Sequence, residues 1–362
     1  MNNNFNSIEN FISNMFEKEK SLFTRNGTTA IWLLLKALGI RKKEIIVPSN
    51  ICFVANSAII LSDNFVHLID IDQDFSIDPI EIEKCDPKNI AGIIFPHMYG
   101  NIGSIKHVVN IAKKNNWFVI EDVCQALGSK KGDNYAGSFS DFAVTSFGTG
   151  KIVDMGIGGA LSTNSESVFK DAFENYNKLK ILNEDINSAA LRFGKIYSIF
   201  MESIESGDDL YRFGEPLIRT YKDVFINKIN PTSFPIDELE YKLKNLNSIL
   251  EMRSKNAALF QEILNHENIQ VLRHKEESTY WRQNILVYKK RDKLLKFLQS
   301  NGIKASKYFP SINKLFHPDK IGSFANSKRM EKQIINLWPG KETTRKDIYK
   351  INEIIRKFYK KN

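Results

Sequence analysis

Five short apolar runs, Glu44-Ile45-Ile46-Val47-Pro48, Phe65 to Asp70, Ile90 to Phe95, Trp117 to Glu121 and Phe142 to Phe147, alternate with stretches of helical pattern. Strand and helix in turn predict an α/β fold, with a mostly parallel sheet covered by helices on both faces. Ligands of such sheets gather at the carboxyl ends of the strands, where loops and helix N-termini converge. The chemistry of this chain should therefore lie in residues that close these runs or open the helices beside them.

Two such residues stand out. Asp122 closes the fourth run in Glu121-Asp122-Val123-Cys124-Gln125-Ala126, and Lys151 follows the fifth after a glycine-softened turn, Ser146-Phe147-Gly148-Thr149-Gly150-Lys151. They are 29 residues apart, enough for one further strand and its connections to bring them side by side. An amine and a carboxylate so placed suit pyridoxal phosphate, which needs an amine to hold its aldehyde as a Schiff base and a carboxylate to keep its ring nitrogen protonated. Gln125 can donate to the phenolic oxygen of such a ring. Gly27-Thr28-Thr29, at a helix start, offers amides, hydroxyls and a helix dipole to the phosphate, and Ser146 adds a hydroxyl. Taken singly, a surface lysine, a helix-capping aspartate and a plain N-cap are the ordinary alternatives. A nucleotide loop is excluded by spacing, because the Walker pattern needs glycine six positions before the lysine and Ser or Thr after it, and Thr145 and Ile152 stand there.

The 362 residues, 42% hydrophobic and 26% charged, can bury a substantial core. They divide into 1–230, an N-terminal arm and large cofactor-binding domain with a helical insert at about 163–225, and 231–362, a smaller C-terminal α+β domain. That second part should hold a long helix from Ile236 to His266, capped by Asp237 with Glu240 three residues on, then a strand Gln283 to Tyr288 and a terminal helix from Thr344 to Lys360. The first twenty residues read as an amphipathic helix. No apolar run approaches the length of a membrane span and the start lacks signal-peptide order, so a cytoplasmic location is expected with no membrane partner. Cys52, Cys85 and Cys124 have neither disulfide-framework nor zinc-site spacing, so no metal is expected. The net charge of +9 comes from lysines spread along the chain, which argues against nucleic acid and suits a small phosphorylated substrate. Arg25, Arg282 and Lys304 are the basic candidates for its phosphate.

Four blocks in order, Asn26-Gly27-Thr28-Thr29-Ala30, Pro96-His97-Met98-Tyr99-Gly100, Glu121 to Ala126, and Ser146 to Lys151 with Gly156-Ile157-Gly158-Gly159-Ala160, resemble the DegT/DnrJ/StrS-type sugar aminotransferases. The resemblance implies a fold type I pyridoxal phosphate enzyme that forms a homodimer with shared active sites. It makes Lys151 the Schiff-base lysine, Asp122 the partner of the pyridine nitrogen, Gln125 the neighbour of the ring hydroxyl, and Thr28, Thr29 and Ser146 the phosphate ligands. Retention of lysine at 151, where a dehydrating relative carries histidine, favours amino transfer.

Three departures accompany the likeness. The position that usually covers the cofactor ring with an aromatic group is Cys52, with Phe53 beside it. The block that usually reaches the partner subunit's phosphate is replaced by Ser233-Phe234-Pro235-Ile236, which leaves Asn230, Thr232 or Ser233 for that contact. The stretch between Ala160 and Asp237 is long. The implied reaction moves an amino group from L-glutamate to a phosphorylated or nucleotide-linked keto-sugar, in surface polysaccharide precursor synthesis. A small phosphorylated ketone such as dihydroxyacetone phosphate is the alternative acceptor; a pyridoxal phosphate lyase or a non-catalytic binder is the alternative of another class.

Overall fold

A computed structural model describes residues 5–181, 185–206, 211–274, 277–313 and 324–361. Its main sheet contains Lys20–Thr24 (β1), Glu44–Pro48 (β2), Phe65–Ile69 (β3), Ile90–Pro96 (β4), Phe118–Asp122 (β5), Phe142–Ser146 (β8) and Gly159–Thr163 (β9), with the two-residue strands Lys130–Lys131 (β6) and Asn134–Tyr135 (β7) forming a separate hairpin. The order across the main sheet is β1-β9-β8-β5-β4-β2-β3. From β8 to β3 the strands are parallel, and helices cover them, so Ile45, Ile93, Ile120 and Val144 are wholly buried, as parallel strands require.

The expected N-terminal helix is shorter than twenty residues. It spans Asn6–Phe16 and ends at Glu17, whose φ of 53° turns the chain into β1. That strand runs antiparallel to β9, with Lys20 opposite Thr163 and Thr24 opposite Gly159. β9 in turn pairs antiparallel with β8, placing Ser146 opposite Gly159. A Cβ at Gly159 would lie 2.5 Å from the Asn26 carbonyl carbon and 2.7 Å from the Gly27 nitrogen. Backbone meets backbone there, so Gly159→Ala should destabilise the fold by about 1–3 kcal/mol through overpacking. Thermal melting checks this; an unchanged Tm would mean that the loop at Asn26 yields freely.

A second, antiparallel sheet has the order Ile269–Val271 (β10), Gln283–Val287 (β11), Ile334–Leu337 (β13), Ala305–Ser306 (β12). Helices Leu246–Ile263, Arg291–Ser300 and Arg345–Lys361 close a core around Phe260, Ile285, Leu298, Ile335 and Ile351. The expected single helix from Ile236 is two, Ile236–Lys244 and Leu246–Ile263, broken at Asn245. Asp237 does not cap it: Pro235 is the N-cap, and Asp237 lies in the first turn, where a carboxylate still favours the dipole. Asp70, at the end of β3, fastens helix Ala325–Gln333 to the main sheet by accepting bonds from the Asn326 amide (2.9 Å), the Ser327 amide (3.0 Å) and the Ser327 hydroxyl (2.6 Å).

The expected helical insert is present as Glu166–Asn177, Ile186–Ser206, Tyr211–Thr220 and Lys222–Phe225. On Ile186–Ser206 the residues Phe193, Tyr197 and Phe200 recur at i, i+4 and i+7, one helical stripe. Phe200 stacks on Phe53 at 4.5 Å, Tyr197 packs on Phe53 at 5.1 Å, and Phe193 meets Phe225 edge-on at 6.4 Å. This stripe docks the helix over the carboxyl ends of the strands. Among the described residues no helix is long and apolar enough to cross a membrane.

Candidate active site

A cavity of about 990 Å3 opens at the carboxyl ends of the main strands. Asp122, Gln125, Ser146 and Lys151 all line it. Strand alternation sends Asp122 to one face of β5 and Glu121 to the other. The Asp122 carboxylate accepts the Cys124 amide at 2.9 Å, which fixes its rotamer. Gln125 accepts the Tyr99 amide through Oε1 at 2.9 Å, so its –NH2 end, in contact only with Met98 Sδ at 3.8 Å, remains to donate.

Lys151 stands on the loop between β8 and β9. Its own amide donates to Gly148 O at 3.2 Å, the Gly150 amide donates to Asp154 Oδ2 at 2.6 Å, and Gly150 takes φ of 78°, a conformation that favours glycine. Trp281 Nε1 donates to Gly150 O at 2.7 Å, and its ring lies 5.7 Å from Lys151 Nζ. The amine is thus held by a braced turn against an aromatic wall.

The other end of the cavity is the start of helix Gly27–Ala37. Asn26 caps it through Oδ1, which accepts the Thr29 amide at 2.7 Å. The first-turn amides of Gly27 and Thr28, which no intrahelical carbonyl can reach, stand at the cavity wall. A Cβ at Gly27 would meet Cys124 Sγ at 2.8 Å, so this close approach needs glycine. Ser146 Oγ, which accepts the Gly148 amide at 3.2 Å and donates to Gly158 O at 3.4 Å, stands beside these amides as a hydroxyl that could rotate toward a ligand.

Several expected contacts fall elsewhere. Thr29 is fully buried outside the cavity lining, with its amide taken by Asn26 and its hydroxyl donating to Phe225 O at 3.1 Å. Neighbouring helical residues point about 100° apart, and here Thr29 turns toward Phe225 while Thr28 lines the cavity. Asn230 Oδ1 accepts Thr232 N at 3.2 Å and Thr232 Oγ1 at 2.8 Å, and Asn230, Thr232 and Ser233, expected to reach the partner subunit's phosphate, stand outside this chain's own cavity. Lys304 stacks its amine 4.9 Å from the Trp338 ring and is also outside. Cys52 lines the cavity, whereas Phe53 is in the core under Phe200. Burial pushes the thiols of Cys52 and Cys124 up, which keeps both protonated and suits them to packing.

Arg25 and Arg282 do line the cavity. Arg282 is 4% exposed, with its guanidinium 3.9 Å from the Trp281 ring and 4.0 Å from the Trp338 ring. It donates to Trp281 O at 2.7 Å, and among the described residues no carboxylate pairs with it. Burial, reinforced by the like charge of Arg253, pushes its pKa down to about 9, leaving it a cation at neutral pH.

The sequence reading missed other members. Glu121 is fully buried and gathers His97 Nε2 (2.9 Å), Gly137 N (2.8 Å), Ser140 N (2.8 Å) and Ser140 Oγ (3.0 Å), directly beneath Asp122. Tyr99 holds the Tyr308-Phe309 wall, donating to Tyr308 O at 2.9 Å and accepting the Phe309 amide at 3.1 Å. Arg192, Lys195 and Tyr197 come from helix Ile186–Ser206, and Tyr197 shares the cavity lining with Cys52. An insert near the mouth was legible, but not which of its side chains enter.

Residues 1–180 and 239–356 match the DegT/DnrJ/EryC1/StrS aminotransferase family. The chain belongs to this family. It is 31% identical over 46% of its length to the GDP-perosamine synthase of Escherichia coli O157:H7, and 28% identical over 60% of its length to the 3-oxo-glucose-6-phosphate:glutamate aminotransferase of Bacillus subtilis. The matched stretches span about half of each of these relatives, 46% and 49%. A crystal structure of a DegT/DnrJ/EryC1/StrS aminotransferase from Brucella abortus superposes with a TM-score of 0.77 at 20% identity, covering 99% of this chain and 91% of that one. The fold is therefore that of the fold type I pyridoxal phosphate aminotransferases, as the alternation of strands and helices and the four blocks lead one to expect.

Pyridoxal phosphate is the cofactor of this DegT/DnrJ/EryC1/StrS-type fold, and the cavity fits it. One amine on a glycine turn, one carboxylate at a strand end and one helix start share a single cavity, with a glycine packed against Cys124 at that helix start. We propose that Asp122 would face the ring nitrogen, Gln125 the ring hydroxyl, Gly27, Thr28 and Ser146 the phosphate, and Lys151 the aldehyde, all of them lining this one cavity.

Proposed function

We propose that the protein is an aminotransferase that moves an amino group from L-glutamate to the ketone of a phosphorylated or nucleotide-linked keto-sugar. The observation that carries this reading is the meeting of Lys151, Asp122 and the Gly27 helix start in one cavity. When bound, the cofactor supplies an aldehyde that takes up amino groups and a ring that accepts an electron pair from the adjoining carbon. Asp122 holds a proton on the ring nitrogen, which raises that electron-accepting power. Lys151, once displaced from the aldehyde, is a neutral amine; its Nζ takes the proton from the donor's α-carbon and, in the second half of the cycle, returns one to the acceptor's carbon. Trp281 and Tyr308 shield that amine from water, and Gln125 orients the ring.

The GDP-perosamine synthase and the 3-oxo-glucose-6-phosphate:glutamate aminotransferase support keto-sugar acceptors and a glutamate donor. Arg25 and Arg282 support acidic groups on donor or acceptor. A place in surface polysaccharide precursor synthesis, in a cytoplasmic homodimer whose 230–235 loop reaches the neighbour's site, belongs to the same proposal.

L-glutamate added to the purified holoprotein without any ketone should convert the cofactor to its amine form and release one 2-oxoglutarate per site. Asp122→Asn should keep the cofactor but slow this step about 10²- to 10⁴-fold, the range of a lost proton-holding group. A wild-type protein that leaves its cofactor spectrum unchanged and yields no keto acid would overturn the reading.

A further inference from the structure

Arg282, just before β11, carries a buried charge that the fold leaves incompletely answered. Its guanidinium lies over the Trp281 ring at 3.9 Å and over the Trp338 ring at 4.0 Å, and these contacts fix its place. Nη1 donates to Trp281 O at 2.7 Å, and Nη2 reaches Gly150 O only at a long 3.4 Å. Nε is buried and has no hydrogen-bond partner. Buried donors are almost always paired, so an orphan on a charged group that lines a cavity calls for an acceptor from outside the chain.

The surroundings add positive charge. Arg253 Nη2 donates to the same Trp281 carbonyl at 2.7 Å, so two guanidiniums share one oxygen. Glu342 favours the charge of Arg282 only from beyond ion-pair distance, and among the described residues no carboxylate pairs with it. An anion is the missing partner. Its kind follows from shape. The N–H groups of a guanidinium lie in its plane, so a planar carboxylate meets their edge with two parallel bonds, whereas a phosphate keeps further oxygens above and below that plane, on the sides the two rings cover.

Position narrows the choice further. Arg282 Cζ and Lys151 Nζ sit over the one Trp281 ring, 3.9 and 5.7 Å from its centre, and Gly150, which Arg282 reaches, directly precedes Lys151. The guanidinium thus stands beside the turn where amines are exchanged. In an α-amino acid a carboxylate is attached to the reacting carbon itself; the phosphate of a keto-sugar lies several bonds from its ketone.

We propose that Arg282 binds the α-carboxylate of the amino donor. The proposal rests on the aminotransferase reading above and adds to it the group that seats the donor. A keto-sugar brings no carboxylate to that place, so Arg282 serves the donor half of the cycle.

Three amino compounds separate the carboxylates of the donor: L-glutamate carries both, L-2-aminobutanoate only the α-carboxylate, and 4-aminobutanoate only the distal one. Each is mixed with the holoprotein and conversion of the cofactor to its amine form is timed; a compound that converts nothing is read as a competitor of L-glutamate. In Arg282→Gln the concentration for half-maximal effect should rise roughly 10- to 100-fold with L-glutamate and L-2-aminobutanoate alike, the weight of a lost charge-assisted contact, and stay within about twofold with 4-aminobutanoate. Arg282→Lys keeps the charge but not the paired edge and should lose nearly as much; it answers the same question where the glutamine variant fails to hold cofactor. A loss confined to L-glutamate would assign the contact to the side-chain carboxylate, and an equal loss with 4-aminobutanoate would reduce Arg282 to a brace of the Gly150 turn. Either result would overturn the proposal. A wild-type protein that none of the three compounds converts would overturn the aminotransferase reading itself.

Discussion

Lys151→Ala should lower turnover by about 10³-fold or more and abolish the visible absorption that marks a lysine-bound cofactor. Both effects follow from one amine serving as the covalent tether and as the base. Lys151→Arg should fail as completely, because a guanidinium stays protonated and cannot take up the aldehyde. The fold should survive either change, since the turn is held by main-chain bonds and by Trp281 Nε1 on Gly150 O rather than by the amine. Absorbance and stopped-flow rates with glutamate decide the matter. A Lys151→Ala protein that kept the absorption band and turned over would remove Lys151 from the reaction and leave the cavity without a base.

Glu121→Ala carries the largest expected loss of stability, about 3–5 kcal/mol, because it leaves His97 Nε2, the amides of Gly137 and Ser140 and the Ser140 hydroxyl without their common acceptor in a fully buried place. His97 is held on its far side by Nδ1–H donating to Ile102 O at 3.2 Å, so it cannot swing away to another partner. The loss should appear as a fall in Tm of roughly 10 °C. Because Glu121 and Asp122 are adjacent on β5, the ring-nitrogen partner should loosen as well, and cofactor should leave the variant more readily. A variant that melts with wild type would show that water or a shifted loop satisfies those donors.

The five parallel strands were legible because each is a short, almost wholly apolar run, which is what burial on both faces demands. β1 and β9 were not. Lys20-Ser21-Leu22-Phe23-Thr24 and Gly159-Ala160-Leu161-Ser162-Thr163 have weak strand propensity taken alone; β9 is held between β8 and β1, and β1 by β9. Asn245 interrupts a helical pattern without a glycine or proline to announce it. Lys151, Asp122, Gln125, Gly27, Thr28 and Ser146, singled out at strand ends and helix starts, all line one cavity. Thr29 was misplaced because sequence adjacency hides the 100° turn between helical neighbours. Glu121 was overlooked because its role depends on His97, Gly137 and Ser140, brought to it by two separate loops. Arg192, Lys195 and Tyr197 enter through a helix whose docking is a tertiary matter, set by Phe53 and Phe225 far from it in sequence.

The pairing of β1 with β9 also orders events in time. The segment that presents Gly27 and Thr28 precedes by more than a hundred positions the residues 159–163 that fix its place in the sheet, and Trp281 follows later still. Contacts that close such long loops form slowly. The cavity's helix start, its lysine turn and its tryptophan wall therefore belong together only in the completed fold, whose long-range pairings close last.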